Sequence, residues 1–125
     1  MGKVLTPDLI LARAKTGNLY TIKKVNLWGN YIEDVKLLRQ IPNVEVLSFS
    51  VNRIASLKEF SNCAKLQEIY LRKSNIAALS EIRYLISLQE LKILWLWDNP
   101  CADTPNFREY IIIMLPNLVK NSITR

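Results

Sequence analysis

The segment Leu91–Cys101, LKILWLWDNPC, interleaves Leu94 and Leu96 with Ile93, Trp95 and Trp97. In extended backbone, successive side chains point to opposite faces. If the leucines face a core, Ile93 and both tryptophans face away from it. Two of the chain's three tryptophans would then stand on the outside of a single strand.

The same frame occurs three more times upstream. Ile22-x-x-Val25-x-Leu27-x-x-Asn30-x-Ile32 is followed by Val44-x-x-Leu47-x-Phe49-x-x-Asn52-x-Ile54. Leu66-x-x-Ile69-x-Leu71-x-x-Ser74-x-Ile76 comes next, and then Leu91-x-x-Leu94-x-Leu96-x-x-Asn99-x-Cys101. Such self-similarity is the signature of a leucine-rich repeat. It predicts an α/β solenoid of about four repeats, with template positions 30, 52, 74 and 99 spaced 22, 22 and 25 residues apart.

Between the strands, apolar residues recur at every third position: Ile32, Val35, Leu38, Ile41 and Val44, then Ile54, Leu57, Phe60, Cys63 and Leu66. The third interval runs Ile76, Leu79, Ile82, Leu85, Leu88 and Leu91. Side chains three apart eclipse in a 3₁₀ helix. The convex side is therefore predicted to be 3₁₀-like, with one extra turn in the longer repeat, and the concave side to be a parallel sheet. The template Asn is expected to turn inward and bond backbone groups of neighbouring coils. Ser74, with one donor where an amide has two, predicts a soft spot of about 1 kcal/mol.

A solenoid exposes its core at both ends unless it is capped. Residues 1–20 are predicted to form a helical cap, 21–101 the repeats and 102–125 a second cap. Thr6-Pro7-Asp8 reads as N-cap, first-turn proline and acidic first turn, and Gly17-Asn18 as the stop. Thr104-Pro105 gives a second start. Phe107, Tyr110, Ile111 and Met114 then follow at helical spacing as a lid over the last coil.

Half the residues are apolar, which places the 125-residue chain among globular single domains. Its longest uncharged run, Tyr110 to Val119, is ten residues, about half of a membrane span. No apolar N-terminal stretch reads as a signal peptide. Gly2 and Thr6 match a myristoylation pattern weakly, and a helix cap accounts for Thr6. The absence of histidine removes His-based catalysis and His-ligated metal. Cys63 and Cys101 occupy aliphatic template positions and read as reduced, buried thiols. The carboxylates are dispersed, and Gly2, Gly17 and Gly29 lie too far apart for a phosphate loop. No catalytic, cofactor or metal residues are assigned. The net charge is +6, but the basic residues are scattered, which argues against a nucleic-acid surface.

The residues alternating with the core form the concave face, where a horseshoe docks its partners. They are Lys24, Asn26 and Trp28; Val46, Ser48 and Ser50; Glu68, Tyr70 and Arg72; Ile93, Trp95 and Trp97. Tyr70 should lie beside Trp95 and Arg72 beside Trp97, with Arg72 free to stack over that ring. Trp, Tyr and Arg are the residues that dominate interface hot spots. This face is predicted to bind protein, in a domain that is itself a monomer.

Arg13-Ala-Lys15, the Leu27-Trp-Gly29 turn, Phe49-Ser-Val-Asn52, Leu66-Gln-Glu-Ile-Tyr-Leu-Arg72 and Trp95-Leu-Trp-Asp-Asn-Pro-Cys101 resemble the N-terminal domain of the cilia- and flagella-associated protein 410 family, over residues 9–119. The tail, with Tyr110 and Leu115-Pro-Asn-Leu118, resembles a leucine-rich-repeat cap, whose usual Leu-Asp ending is Asn121-Ser122 here. The resemblance implies a basal-body and ciliary-base protein that supports cilium assembly and associates with a NIMA-related kinase. It also implies a linker and helical oligomerising tail beyond Arg125. A spliceosomal leucine-rich subunit, which grips an RNA-binding protein, has similar short repeats and is the alternative reading.

Overall fold

The computed structural model describes residues 2–119, so Asn121-Ser122 lie outside the described residues. Strands β2 (Lys24–Asn26), β4 (Val46–Ser48), β5 (Glu68–Tyr70) and β6 (Ile93–Trp95) form one parallel sheet in that order. The register puts Val25, Leu47, Ile69 and Leu94 in a single row across it. All four are buried. Each repeat therefore contributes one rung, as the shared template requires.

The returns between rungs are 3₁₀ segments at Lys36–Gln40, Lys58–Asn62 and Leu79–Leu85. The first two have five residues and the third has seven, so the longer repeat is absorbed on the convex side. Their inward residues Leu38, Phe60, Ile82 and Leu85 are buried, and Phe60 meets Phe49 edge-on at 5.9 Å. Arg39 joins two returns through a forked pair with Glu59, Nε to Oε1 at 2.8 Å and Nη2 to Oε2 at 3.1 Å.

The template Asn residues stitch successive coils together. Asn52 Oδ1 accepts from the amides of Asn30 and Ile32, while its Nδ2 donates to the carbonyls of Leu27 and Phe49. Asn99 does the same between Ile76, Leu71 and Leu96. Asn30 departs from the expectation. With no earlier coil to bond, it stays half-buried, donates to the Trp28 carbonyl and accepts from Arg13 Nη2 at 3.3 Å. Ser74 exchanges both of its bonds with Ile54, accepting from its N–H at 2.7 Å and donating to its carbonyl at 3.0 Å. A left-handed residue precedes the template position in every coil: Gly29, Val51, Lys73 and Asp98.

Helix α1 (Pro7–Ala14) starts as predicted, with Thr6 Oγ1 accepting from Leu9 N–H at 3.3 Å and proline in the first turn. It buries Ile10 against the first coil. It ends earlier than Gly17-Asn18, however, because Lys15 itself takes the left-handed conformation, φ 57°, and returns its N–H to the Leu11 carbonyl.

Helix α2 (Phe107–Met114) likewise does not begin at Thr104-Pro105. Proline disfavours helical backbone in the residue before it. Thr104 is accordingly extended and closes a 3₁₀ segment at Pro100–Asp103, and Asn106, φ 64°, leads into the helix. Ile111 is buried, and Phe107, Tyr110 and Met114 pack against the core.

A second, two-stranded parallel sheet was not foreseen. It pairs β1 (Lys3–Val4) with β3 (Ile32–Asp34), holding the N-terminal segment to the first return. Gly2 lies against Glu33 there, where an added Cβ would come 2.1 Å from that residue's Cβ. This gives Gly2 a packing role.

Candidate partner-binding face

The register that buries the Val25 row turns Lys24, Val46, Glu68 and Ile93 to the opposite side, with Asn26, Ser48, Tyr70 and Trp95 as the next row. Beyond the strand ends, Trp28, Ser50, Arg72 and Trp97 continue the pattern. Every one of these residues is exposed or half-buried except Ser50, at 8% exposure. Ser50 is spent internally, its Oγ accepting from the Arg72 N–H at 3.1 Å.

Tyr70, Trp95 and Trp97 form one continuous cluster. The Tyr70 and Trp95 rings meet edge-to-face at 4.6 Å and 87°, and Trp95 and Trp97 lie 4.7 Å apart at 33°. Such pairs contribute about 0.5–1.5 kcal/mol each beyond their buried area, which holds the cluster in one shape. The Tyr70 hydroxyl donates to Glu68 Oε1, fixing the ring from below. Burial, reinforced by the Glu68 carboxylate, pushes the Tyr70 hydroxyl up to about 12. Tyr70 therefore stays protonated at neutral pH and remains the donor of this bond.

Arg72 does not stack over Trp97. The left-handed turn at Asp98 brings a carboxylate within reach, and Arg72 Nε lies 3.0 Å from Asp98 Oδ2. A charge-assisted hydrogen bond of that length is stronger than an exposed cation–π contact. Trp28 stands apart from the other aromatics. It is 60% exposed, and no ring pairs with it among the described residues. Asn26 Oδ1 accepts its N–H at 2.9 Å and shapes the turn beneath it.

Between these two aromatic positions the small side chain of Ser48 leaves a depression of about 340 Å³. Arg13, Lys24, Asn26, Val46 and Tyr70 share its walls. Arg13 was not placed on the face from sequence. The signal was available, since the last turn of a helix ending beside β2 projects over that strand. An exposed cation–π pair, Arg53 over the Tyr31 ring at 5.1 Å, was also missed. Among the described residues, no group of three or more His, Cys, Asp or Glu converges as a metal site. Cys63 and Cys101 are free and buried, and burial raises their thiols to about 12 and about 11. No helix among the described residues is long and apolar enough to cross a membrane.

The chain is 39% identical to cilia- and flagella-associated protein 410 of Homo sapiens over 118 residues, which is 93% of this chain and 46% of that protein. The Mus musculus protein of the same name gives the same identity. The chain thus spans about half the length of these relatives. Among solved structures, a chain of the Drosophila melanogaster SNF/U2A′ complex matches with a TM-score of 0.65 at 24% identity, covering 93% of this chain and 81% of that one. A Leptospira interrogans LRR protein also matches with a TM-score of 0.65, at 29% identity, covering 78% of this chain and 24% of that one. The sequence profile described as Leucine-rich repeat matches residues 15–122. With a four-stranded parallel sheet, one rung per template copy and 3₁₀ returns, the chain belongs to the leucine-rich-repeat family.

Proposed function

We propose that this domain is a non-catalytic protein-interaction module of a cilium-associated protein, docking its partner on the concave face. The observation that carries the docking site is the continuous Tyr70–Trp95–Trp97 cluster, half-buried and turned away from the core. Contiguous exposed aromatics of this kind mark binding surfaces on soluble proteins. The ciliary context rests on the names of the relatives. A place at the basal body, a role in cilium assembly and a NIMA-related kinase as partner extend that context.

The test is capture from a ciliated-cell extract with wild type and a Trp95→Ala/Trp97→Ala variant side by side, both shown to be folded by their melting curves. Retention of a ciliary-base protein or kinase by wild type, with at least about tenfold less on the variant, is the expected result. Equal retention by both would remove the concave face from the reading. Capture of splicing factors, or of RNA lost as salt rises, would assign the domain to ribonucleoprotein assembly instead.

A further inference from the structure

The concave face has two chemically different halves. On the β6 side, Tyr70, Trp95 and Trp97 form an aromatic wall. On the β2 side, Arg13 and Lys24 line the depression above Ser48. The third cation of this face, Arg72, sits opposite a carboxylate, that of Asp98. Arg13 and Lys24 have no such partner among the described residues. Among the described residues, the Arg13 guanidinium donates to the neutral Asn30 amide. The carboxylate across the same face, Glu68, is committed to the Tyr70 hydroxyl.

From this asymmetry, and resting on the concave-face reading above, we infer that the partner segment is an acidic peptide with one apolar anchor. Its bulky apolar side chain seats against Trp95 and Trp97, and its carboxylates meet Arg13 and Lys24. Lys24 and Trp95 are separated by three inter-strand steps across the sheet and two residues along it, or about 16 Å. An extended peptide crossing the face spans that distance in about five residues, and a helical one in about eleven. Charge complementarity of this kind sets orientation and speeds encounter, while the aromatic anchor sets the lifetime of the complex.

The proposal is tested by selecting a random peptide library displayed on phage, of roughly 16 residues so as to cover the face extended or helical, on the wild-type domain. A synthetic copy of the most enriched peptide is then titrated against three folded proteins: wild type, Arg13→Glu/Lys24→Glu and Trp95→Ala/Trp97→Ala. The expected winners place Asp or Glu about five or about eleven residues from a Trp, Phe or Leu. Charge reversal should weaken binding at least about tenfold, and raising salt from about 50 to about 300 mM should weaken wild type more than the reversed variant. Loss of binding in the tryptophan variant alone, with charge reversal and salt without effect, would overturn the acidic partner and leave the concave face standing. Full binding by the tryptophan variant would overturn both. Winners without acidic residues, or no enrichment over a blank support, would also count against the proposal.

Discussion

Ser74 occupies the one template position of the repeats that lacks an amide side chain. Its hydroxyl makes two bonds, both to Ile54. At the equivalent position one coil earlier, the Asn52 amide donates to the carbonyl of the preceding coil, Leu27, and to that of its own coil, Phe49. By the same register, an asparagine at 74 would donate to Phe49 and Leu71. Each of these carbonyls now accepts from one side-chain amide, of Asn52 and Asn99 respectively, and a carbonyl has room for two donors. Ser74→Asn therefore gains two bonds and loses one, the donation to Ile54, whose carbonyl still accepts from the Asn75 N–H at 2.9 Å. One net buried hydrogen bond contributes about 1 kcal/mol, or a rise in Tm of roughly 4 °C for a domain of this size. Thermal and urea unfolding followed by far-ultraviolet circular dichroism would measure it, with Asn52→Ser as the reverse change, expected to lower Tm. If Ser74→Asn melts at or below wild type, the inter-coil amide ladder does not set the stability of this joint.

Val51 is β-branched and held at φ 59°, a conformation costing roughly 1–2 kcal/mol that Asn tolerates. Val51→Asn should raise Tm by a few degrees, and a lowered Tm would show that its half-buried side chain matters more than its backbone. Leu94 is 2% exposed in the central apolar row; Leu94→Asp buries an unpaired charge at a cost of several kcal/mol, so it should abolish the cooperative melt, and a melt near wild type would show the register to be wrong. Tyr70, Cys63 and Cys101 all bind their protons more tightly in the fold, at about 12, about 12 and about 11. The stability they contribute is complete below their unfolded values and is lost as pH rises from those values through the folded ones. Unfolding at successive alkaline pH values should therefore show declining stability, with Tyr70→Phe declining less, and a thiol reagent should label neither cysteine before unfolding.

The repeat was legible because its spacing is a statement about geometry. A rung after 22, 22 and then 25 residues leaves one register in which Val25, Leu47, Ile69 and Leu94 are all buried, and that register also names the concave residues. The 3₁₀ returns were legible for the same reason, through an apolar period of three. Helix ends were less so. Lys15 and Asn106 take left-handed conformations that glycine would have advertised and these residues do not, so Gly17 and Thr104 were misleading markers. The β1–β3 pairing had no signal at all, since two residues carry no alternation. The partner of Arg72 turned on whether Trp97 or Asp98 came closer, a choice made by the turn at Asp98 and invisible in spacing. The unpaired state of Arg13 and Lys24 became apparent only once every neighbouring carboxylate had been located.

The inter-coil bonds also have a direction. The amides of Asn30 and Ile32 are satisfied by Asn52, that of Ile54 by Ser74 and that of Ile76 by Asn99. Each coil is completed by a side chain synthesised about 20 residues after it. A nascent chain emerging from the ribosome therefore always carries one unfinished coil at its growing end, however many earlier coils have closed. The N-terminal helix covers the starting end, and each later coil is completed only once its successor has been made. Until Asn99 has left the ribosome, the Ile76 amide lacks its side-chain acceptor and the last coil stays open.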